Sequence, residues 1–273
     1  MPELPEVEIT LRGIEPYILH QKISNVIVRN HKLRWPVQND INQQVNGKNI
    51  CKTQRIGKYL VLKVETGSII IHLGMSGSLR VLKNNTPIKK HDHIDIEFAN
   101  NIILRLNDPR RFGAFLWTTE EPEQHKLLKN LGIEPLSNKF SAKNLAQLTK
   151  KSKSPIKTFL MNSKNIAGVG NIYANEALFD SKINPNQPTN SIPENRLNSL
   201  LKSIKKVLRQ SIKQGGTTLK DFVNSDGKKG YFQVYLKIYG KKNKPCVYCK
   251  TPIEENRMGQ RSTFYCPNCQ KLF

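Results

Sequence analysis

No apolar run in this 273-residue chain approaches the length of a membrane span, and its first residues hold no hydrophobic signal segment. The opening MPELPEVEIT is acidic, which excludes the basic, acid-poor character of a transit peptide. The expected location is the cytoplasm. Acidic residues are otherwise scarce. Only 21 Asp and Glu stand against 44 Lys and Arg, a formal net charge of +23. Such an excess favours polyanions, because each neutralised phosphate releases condensed counterions. The lysine pairs at 89–90, 150–151, 205–206, 228–229 and 241–242 are scattered, however, and also fit a generally solvated basic surface. Charge alone assigns no chemistry. Cysteine is nearly missing from most of the chain: one of five, Cys51, lies outside the last 28 residues. Alone in a strand-like stretch, Cys51 is expected to be a buried, unreactive thiol. There is no internal repeat and no long low-complexity tract, so the length is available for two domains, each with its own core.

Residues 5–20 suit a helix, with Pro5 in the first turn and Val7, Leu11, Ile14 and Ile18 spaced for one face. Residues 22–118 read as short strands. KISNVIVRN, YLVLKVE, SIIIHL, HIDIEF and NIILRL are rich in β-branched residues and separated by Gly, Asn and Pro turns. That pattern predicts an antiparallel sandwich or barrel. Composition shifts near residue 120, and 120–215 reads as helical, with a linker between 130 and 150. The clearest helix follows Pro193: Ser191 and Glu194 form a capping-box pattern, Leu197, Leu200, Leu201, Ile204, Val207 and Leu208 make an apolar stripe, and Gly215 ends it. A Gly- and Lys-rich loop, NSDGKKGYF, precedes the Cys-rich tail.

The strongest local motif is Cys246-x2-Cys249 followed, after sixteen intervening residues, by Cys266-x2-Cys269. Two such knuckles deliver four thiolates to one tetrahedral zinc, and the spacer accommodates a β-hairpin, so a zinc ribbon is expected. Four sulfur ligands close the shell, which makes the zinc structural. The intervening RMGQRSTF (257–264) suits phosphate contact and stacking, and equally a solvated hairpin. Gly168-Val-Gly-Asn171 precedes a helical run, as an anion-binding helix start or a tight interhelical turn would. Asp108-Pro-Arg-Arg-Phe-Gly113 is a turn able to enter a DNA groove, or one whose Phe112 packs inward. Met75 in HLGMSGS reads by itself as a packing residue, and His91 and His93 as structural or phosphate-contacting residues. The acidic residues near Pro2 complement a helix dipole.

Taken together and in order, these pieces resemble the formamidopyrimidine-DNA glycosylase family. The resemblance runs through MPELPEVE, GKYL (57–60), HLGMSGSLR (72–80), KHDH (90–93), DPRRFG (108–113), GVGNIYANE (168–176), QGGTTLKDF (214–222) and the terminal QRSTFYCPNC. It implies a two-domain α+β protein. An N-terminal β-sandwich with a flanking helix would occupy 1–130, a helix–two-turns–helix domain 131–235 (its motif near 155–185), and a zinc ribbon 236–273. It implies that Pro2, exposed by loss of Met1, is the nucleophile, that Glu3 is the general acid, and that Lys58 and Arg261 donate protons or bind phosphate. His91 and Asn171 would contact phosphates, with Lys153 and Lys157 both candidates for a further contact. Met75, Arg110 and Phe112 would fill the hole in the duplex, Arg110 facing the orphaned cytosine, and a loop at 219–232 would close over the flipped base. The implied partner is double-stranded DNA carrying 8-oxoguanine or formamidopyrimidines opposite cytosine, and the implied protein is a monomer. A sister family, endonuclease VIII, prefers oxidised pyrimidines on a similar scaffold; LPE at 4–6, DPRRFG and the QGGTTLKDF loop favour the purine branch. A noncatalytic zinc-ribbon nucleic-acid-binding protein would account for the charge and the cysteines, but not for Pro2-Glu3 and Lys58.

The chemistry is coherent. An α-amine with pKa about 7.7–8.0 is roughly 10% unprotonated at pH 7, against about 0.04% for a lysine near 10.4. A secondary amine can form only a cationic iminium with C1′, which draws electrons from C2′ and promotes loss of the 3′ phosphate. Glu3 could protonate the sugar oxygen as the ring opens.

Overall fold

The computed structural model describes residues 1–216 and 235–273. Those residues divide into two compact units, 1–130 with 214–216, and 131–213 with 235–273. The NSDGKKGYF loop and the whole of the expected closing loop at 219–232 lie outside the described residues.

The first unit begins with helix α1 (Leu4–Ile18). Its Val7, Leu11, Ile14 and Ile18 are all buried, as the spacing predicts. Two four-stranded antiparallel sheets follow. One has the order β2-β3-β4-β8, from Lys52–Ile56, Tyr59–Val64, Gly67–His72 and Ala114–Thr118. The other has the order β1-β6-β7-β5, from Ile23–Val28, Asp92–Phe98, Ile102–Asn107 and Ser78–Lys83. Leu60, Leu62, Ile69 and Ile71 of the first sheet share one apolar cluster with Ile94, Ile96, Leu104 and Leu106 of the second and with α1. The unit is thus a sandwich flanked by a helix. A short helix α2 (Ile41–Val45) packs on β1 and β8.

Cys51 is exposed rather than buried. It lies just before β2, an edge strand, where only its backbone N–H is engaged in the sheet, by the Lys63 carbonyl at 2.8 Å.

The second unit contains α3 (Ala142–Lys150), α4 (Ile156–Met161), α5 (Asn171–Asp180) and α6 (Glu194–Lys213), then the hairpin β9 (Glu254–Met258) and β10 (Arg261–Tyr265). All six residues of the expected α6 stripe are buried, each such side chain contributing about 1.5–3 kcal/mol. Gly215, past the helix end, adopts φ +79°, open to glycine without strain. The expected capping box does not form. Ser191 belongs to a preceding 3-10 turn, where its hydroxyl donates to the Pro188 carbonyl and accepts from Gln187. The α6 start is instead set by the Pro193 carbonyl, which accepts from the N–H groups of Arg196 and Leu197.

Candidate active site and DNA-contacting surfaces

In the first unit, Pro2 and Glu3 are both buried at the head of α1. The Glu3 N–H donates to Glu6 Oε2 at 2.9 Å, so the acidic first turn closes over its own start. Gly216 packs on the same turn. A side chain there would meet Ile9 at 3.0 Å and Glu6 Oε1 at 3.4 Å.

Lys58 lies on the tight turn between β2 and β3, and a strut ties that turn to α1. Arg55 pairs with Glu8 of α1 at 3.0 Å, and its Nη1 donates to the Gly57 carbonyl at 2.9 Å. Burial opposes ionisation of Glu8, but the hydrogen bonds and charges of Arg55 and Arg12 outweigh it and hold its pKa below the usual carboxylate range. The strut therefore carries a full charge at neutral pH.

His72, at the end of β4, belongs to none of the candidate residues drawn from the sequence. Burial, Lys58 and Arg34 together hold its pKa down to about 4, so the ring is neutral. Its Nδ1 accepts the Gly74 N–H at 3.0 Å, which places the remaining proton on Nε2, and its ring packs 4.7 Å from that of Tyr59. What singles it out is burial beside a cation, which no local pattern reveals.

Two further turns meet in this unit. Gly74, next to Met75, has φ +62°, and a side chain there would stand 2.5 Å from the Phe112 carbonyl carbon. Only glycine permits that approach. Asp108, fully buried, locks the pair by accepting the Gly113 N–H at 2.8 Å and the Ser76 hydroxyl at 3.3 Å. The Asp108 carbonyl is 2.9 Å from His93 Nε2, and its N–H donates to the His91 carbonyl at 3.0 Å. The DPRRFG turn consequently projects outward. Phe112 is 41% exposed rather than packed inward, with the Arg110 guanidinium 4.8 Å from its ring centroid. Lys32, Arg34, Arg110, Arg111 and Phe112 line an open cleft of about 480 Å³. Met75, His91, Arg110 and Phe112 are thus carried by neighbouring, mutually bonded segments.

In the second unit, Asn171 is the first residue of α5, directly after Gly170. Asn175, one turn on, donates to the Asn171 carbonyl at 2.6 Å and accepts the Phe264 N–H of β10 at 2.8 Å. Glu176 accepts the N–H groups of Lys237, Ile238 and Tyr239 at 2.9–3.1 Å, anchoring the segment that leads to the ribbon. Burial nonetheless pushes its carboxyl above the ordinary range. Arg261, at the hairpin tip, and Lys153 are exposed. Lys157 is not available as a direct phosphate ligand. It is 1% exposed, and its ammonium donates to the Ser262 carbonyl at 2.8 Å and to Thr263 Oγ1 at 2.7 Å.

The Sγ atoms of Cys246, Cys249, Cys266 and Cys269 all lie within 4.8 Å of one another, with pairs at 3.4, 3.4 and 3.9 Å. Zinc–sulfur bonds of about 2.3 Å at tetrahedral angles put sulfurs roughly 3.8 Å apart. The four thiolates fit one structural zinc and leave no ligand position for an activated water. No helix among the described residues is long and apolar enough to cross a membrane.

Family models match in sequence order. The formamidopyrimidine-DNA glycosylase N-terminal domain covers residues 1–115, the H2TH domain of the same family 131–223, and a zinc finger found in FPG and IleRS 243–272. A formamidopyrimidine-DNA glycosylase of Enterobacter sp. (strain 638) is 52% identical over 99% of this chain and 100% of its own length. The crystal structure of the MutM (Fpg) protein of Thermus thermophilus superposes with a TM-score of 0.89 at 33% identity, covering 100% of both chains. That of a Lactococcus lactis Fpg mutant bound to Fapy-dG containing DNA gives 0.90 at 32% identity, covering 99% of this chain and 100% of that one. The chain belongs to the formamidopyrimidine-DNA glycosylase family.

Proposed function

We propose that this protein excises oxidised purines, 8-oxoguanine and formamidopyrimidines, from duplex DNA opposite cytosine and then cuts the strand, acting as a monomer with Pro2 as its nucleophile. As a member of its family it is a DNA glycosylase of base excision repair. The observation that carries the mechanistic reading is the strut Glu8–Arg55–Gly57, which ties the turn bearing Lys58 to the helix whose buried head is Pro2-Glu3.

Removal of Met1 converts the Pro2 nitrogen from an amide to a secondary amine. Its lone pair forms a bond to C1′ as the bond from C1′ to the base breaks; the base leaves with the electron pair of the broken bond and takes up the proton that the nitrogen gives up. Glu3 protonates the ring oxygen as the sugar opens, leaving a cationic iminium on Pro2. Loss of a C2′ proton then expels the 3′ phosphate, and a second elimination expels the 5′ phosphate. Lys58 and Arg261 hold phosphates through these steps, His91 and Asn171 bind the backbone, and Lys153 supplies an exposed cation. Met75, Arg110 and Phe112 occupy the space vacated by the flipped nucleotide, with Arg110 donating to the exposed acceptors of cytosine.

The test is borohydride trapping on a duplex with one 8-oxoguanine, followed by peptide mapping. The adduct is expected on Pro2, and Glu3→Gln is expected to keep folding and DNA affinity while losing base excision. An adduct on Lys58, or undiminished strand cleavage with Met1 in place, would overturn the assignment.

A further inference from the structure

A lysine ammonium inside a protein is costly unless its donors are met, and Lys157 spends its donors on a strand about a hundred residues away. Two of its acceptors, the Ser262 carbonyl and the Thr263 hydroxyl, are consecutive on β10. Asn175, itself 1% exposed, takes the next N–H of the same strand, that of Phe264, while holding the Asn171 carbonyl with its amide nitrogen. Three successive residues after Arg261 are therefore gripped by α4 and α5. Alternate residues of a strand share a face, so fixing Thr263 also fixes the direction in which Arg261 leaves the hairpin. A slip of one residue would turn Arg261 to the other face. Zinc does not supply this constraint, because its nearest ligand on β10's side, Cys266, lies at the other end of the strand from Arg261. Nor does core filling require a charge here, since an apolar side chain of similar volume would fill the site at lower desolvation cost.

We propose that Lys157, with Asn175 beside it, is a positioning residue that sets the register and tilt of β10, so that Arg261 and Asn171 are presented as one phosphate-binding pair. This rests on the reading that Arg261 and Asn171 contact DNA backbone.

The test is a double-mutant cycle in the full-length, zinc-loaded protein. Binding to a duplex containing a tetrahydrofuran abasic analogue is measured for wild type, Lys157→Met, Arg261→Ala and the double variant over a range of salt. Each single variant should bind about tenfold more weakly and show a salt slope smaller by about one. Zinc content should stay at one, and the double variant should bind no more weakly than Arg261→Ala. A double variant about a hundredfold weaker than wild type would show independent roles and overturn the proposal. So would wild-type affinity in zinc-loaded Lys157→Met. Should Lys157→Met lose its zinc, Thr263→Val, which deletes one acceptor, replaces it under the same two outcomes. Unchanged affinity in Arg261→Ala alone would instead remove the phosphate reading, and the positioning role with it.

Discussion

Charging His72 should destabilise the region around the Lys58 turn, and the size of the effect follows from its surroundings. Burial, Lys58 and Arg34 hold its pKa down to about 4, against an ordinary value of about 6.5. The unfolded chain therefore takes up the proton first as pH falls. The stability due to a neutral His72 is complete above about pH 6.5 and drains away as pH drops towards 4. At about 1.36 kcal/mol per tenfold change in proton affinity, the gap corresponds to roughly 3.4 kcal/mol. Some of the residue still meets solvent, and screening reduces this to about 2–3 kcal/mol. Ring-labelled NMR titration should show the His72 resonances flat from about pH 8 to 5. Urea unfolding of wild type and His72→Gln should diverge with pH by that amount, because glutamine does not titrate. Lys58→Met should move the midpoint part of the way back towards its ordinary value, since Lys58 is the largest cause after burial. A midpoint near 6.5, or one indifferent to Lys58→Met, would refute the reasoning. At neutral pH the consequence is a fixed Nε2–H donor, because Nδ1 is occupied by the Gly74 N–H.

Two further outcomes are expected. Cys249→Ser should release the zinc, measured by metal analysis, and weaken DNA binding while leaving the Pro2 adduct detectable by borohydride; a fully active protein without zinc would contradict the structural role. Arg110→Ala should weaken binding and shrink the preference for cytosine over adenine opposite 8-oxoguanine, read from single-turnover rates; an unchanged preference would make the DPRRFG turn a structural element only.

Every central strand is legible in the sequence, and only edge strands are missed. Among the strands of the two sheets, the five legible runs correspond to β1, β3, β4, β6 and β7. The other three, β2, β5 and β8, lie at sheet edges, where β1 with its β-branched Ile23, Val26, Ile27 and Val28 is the one edge strand that is legible. KTQRI and SLRVLK have one partner strand apiece and carry several half-exposed side chains, so their period-2 signal is weak. The helix face of α1 and the stripe of α6 are legible because burial on one side imposes a 3.6-residue period. The N-terminus of α6 is not, because a local hydroxyl such as that of Ser191 has several competing backbone partners and the 3-10 turn takes it. Cys51 departs from its expected burial for a related reason, since an apolar type beside a strand says nothing of which edge the strand occupies.

What the sequence determined by itself was the inventory: four thiolates at zinc spacing, two sheets' worth of β-branched runs, a glycine-bearing turn beside Met75, and the ordered motifs that mark the family. Those signals are local, set by periodicity, turn chemistry or ligand spacing. Tertiary structure decided what each group is free to do. It left Phe112 exposed by locking its turn through Asp108, kept His72 neutral by burying it beside Lys58, and tied the Lys58 turn to α1 through Arg55 and Glu8. It also withdrew Lys157 from solvent to grip β10. Burial and charge proximity join residues far apart in the chain, so no window of sequence contains them.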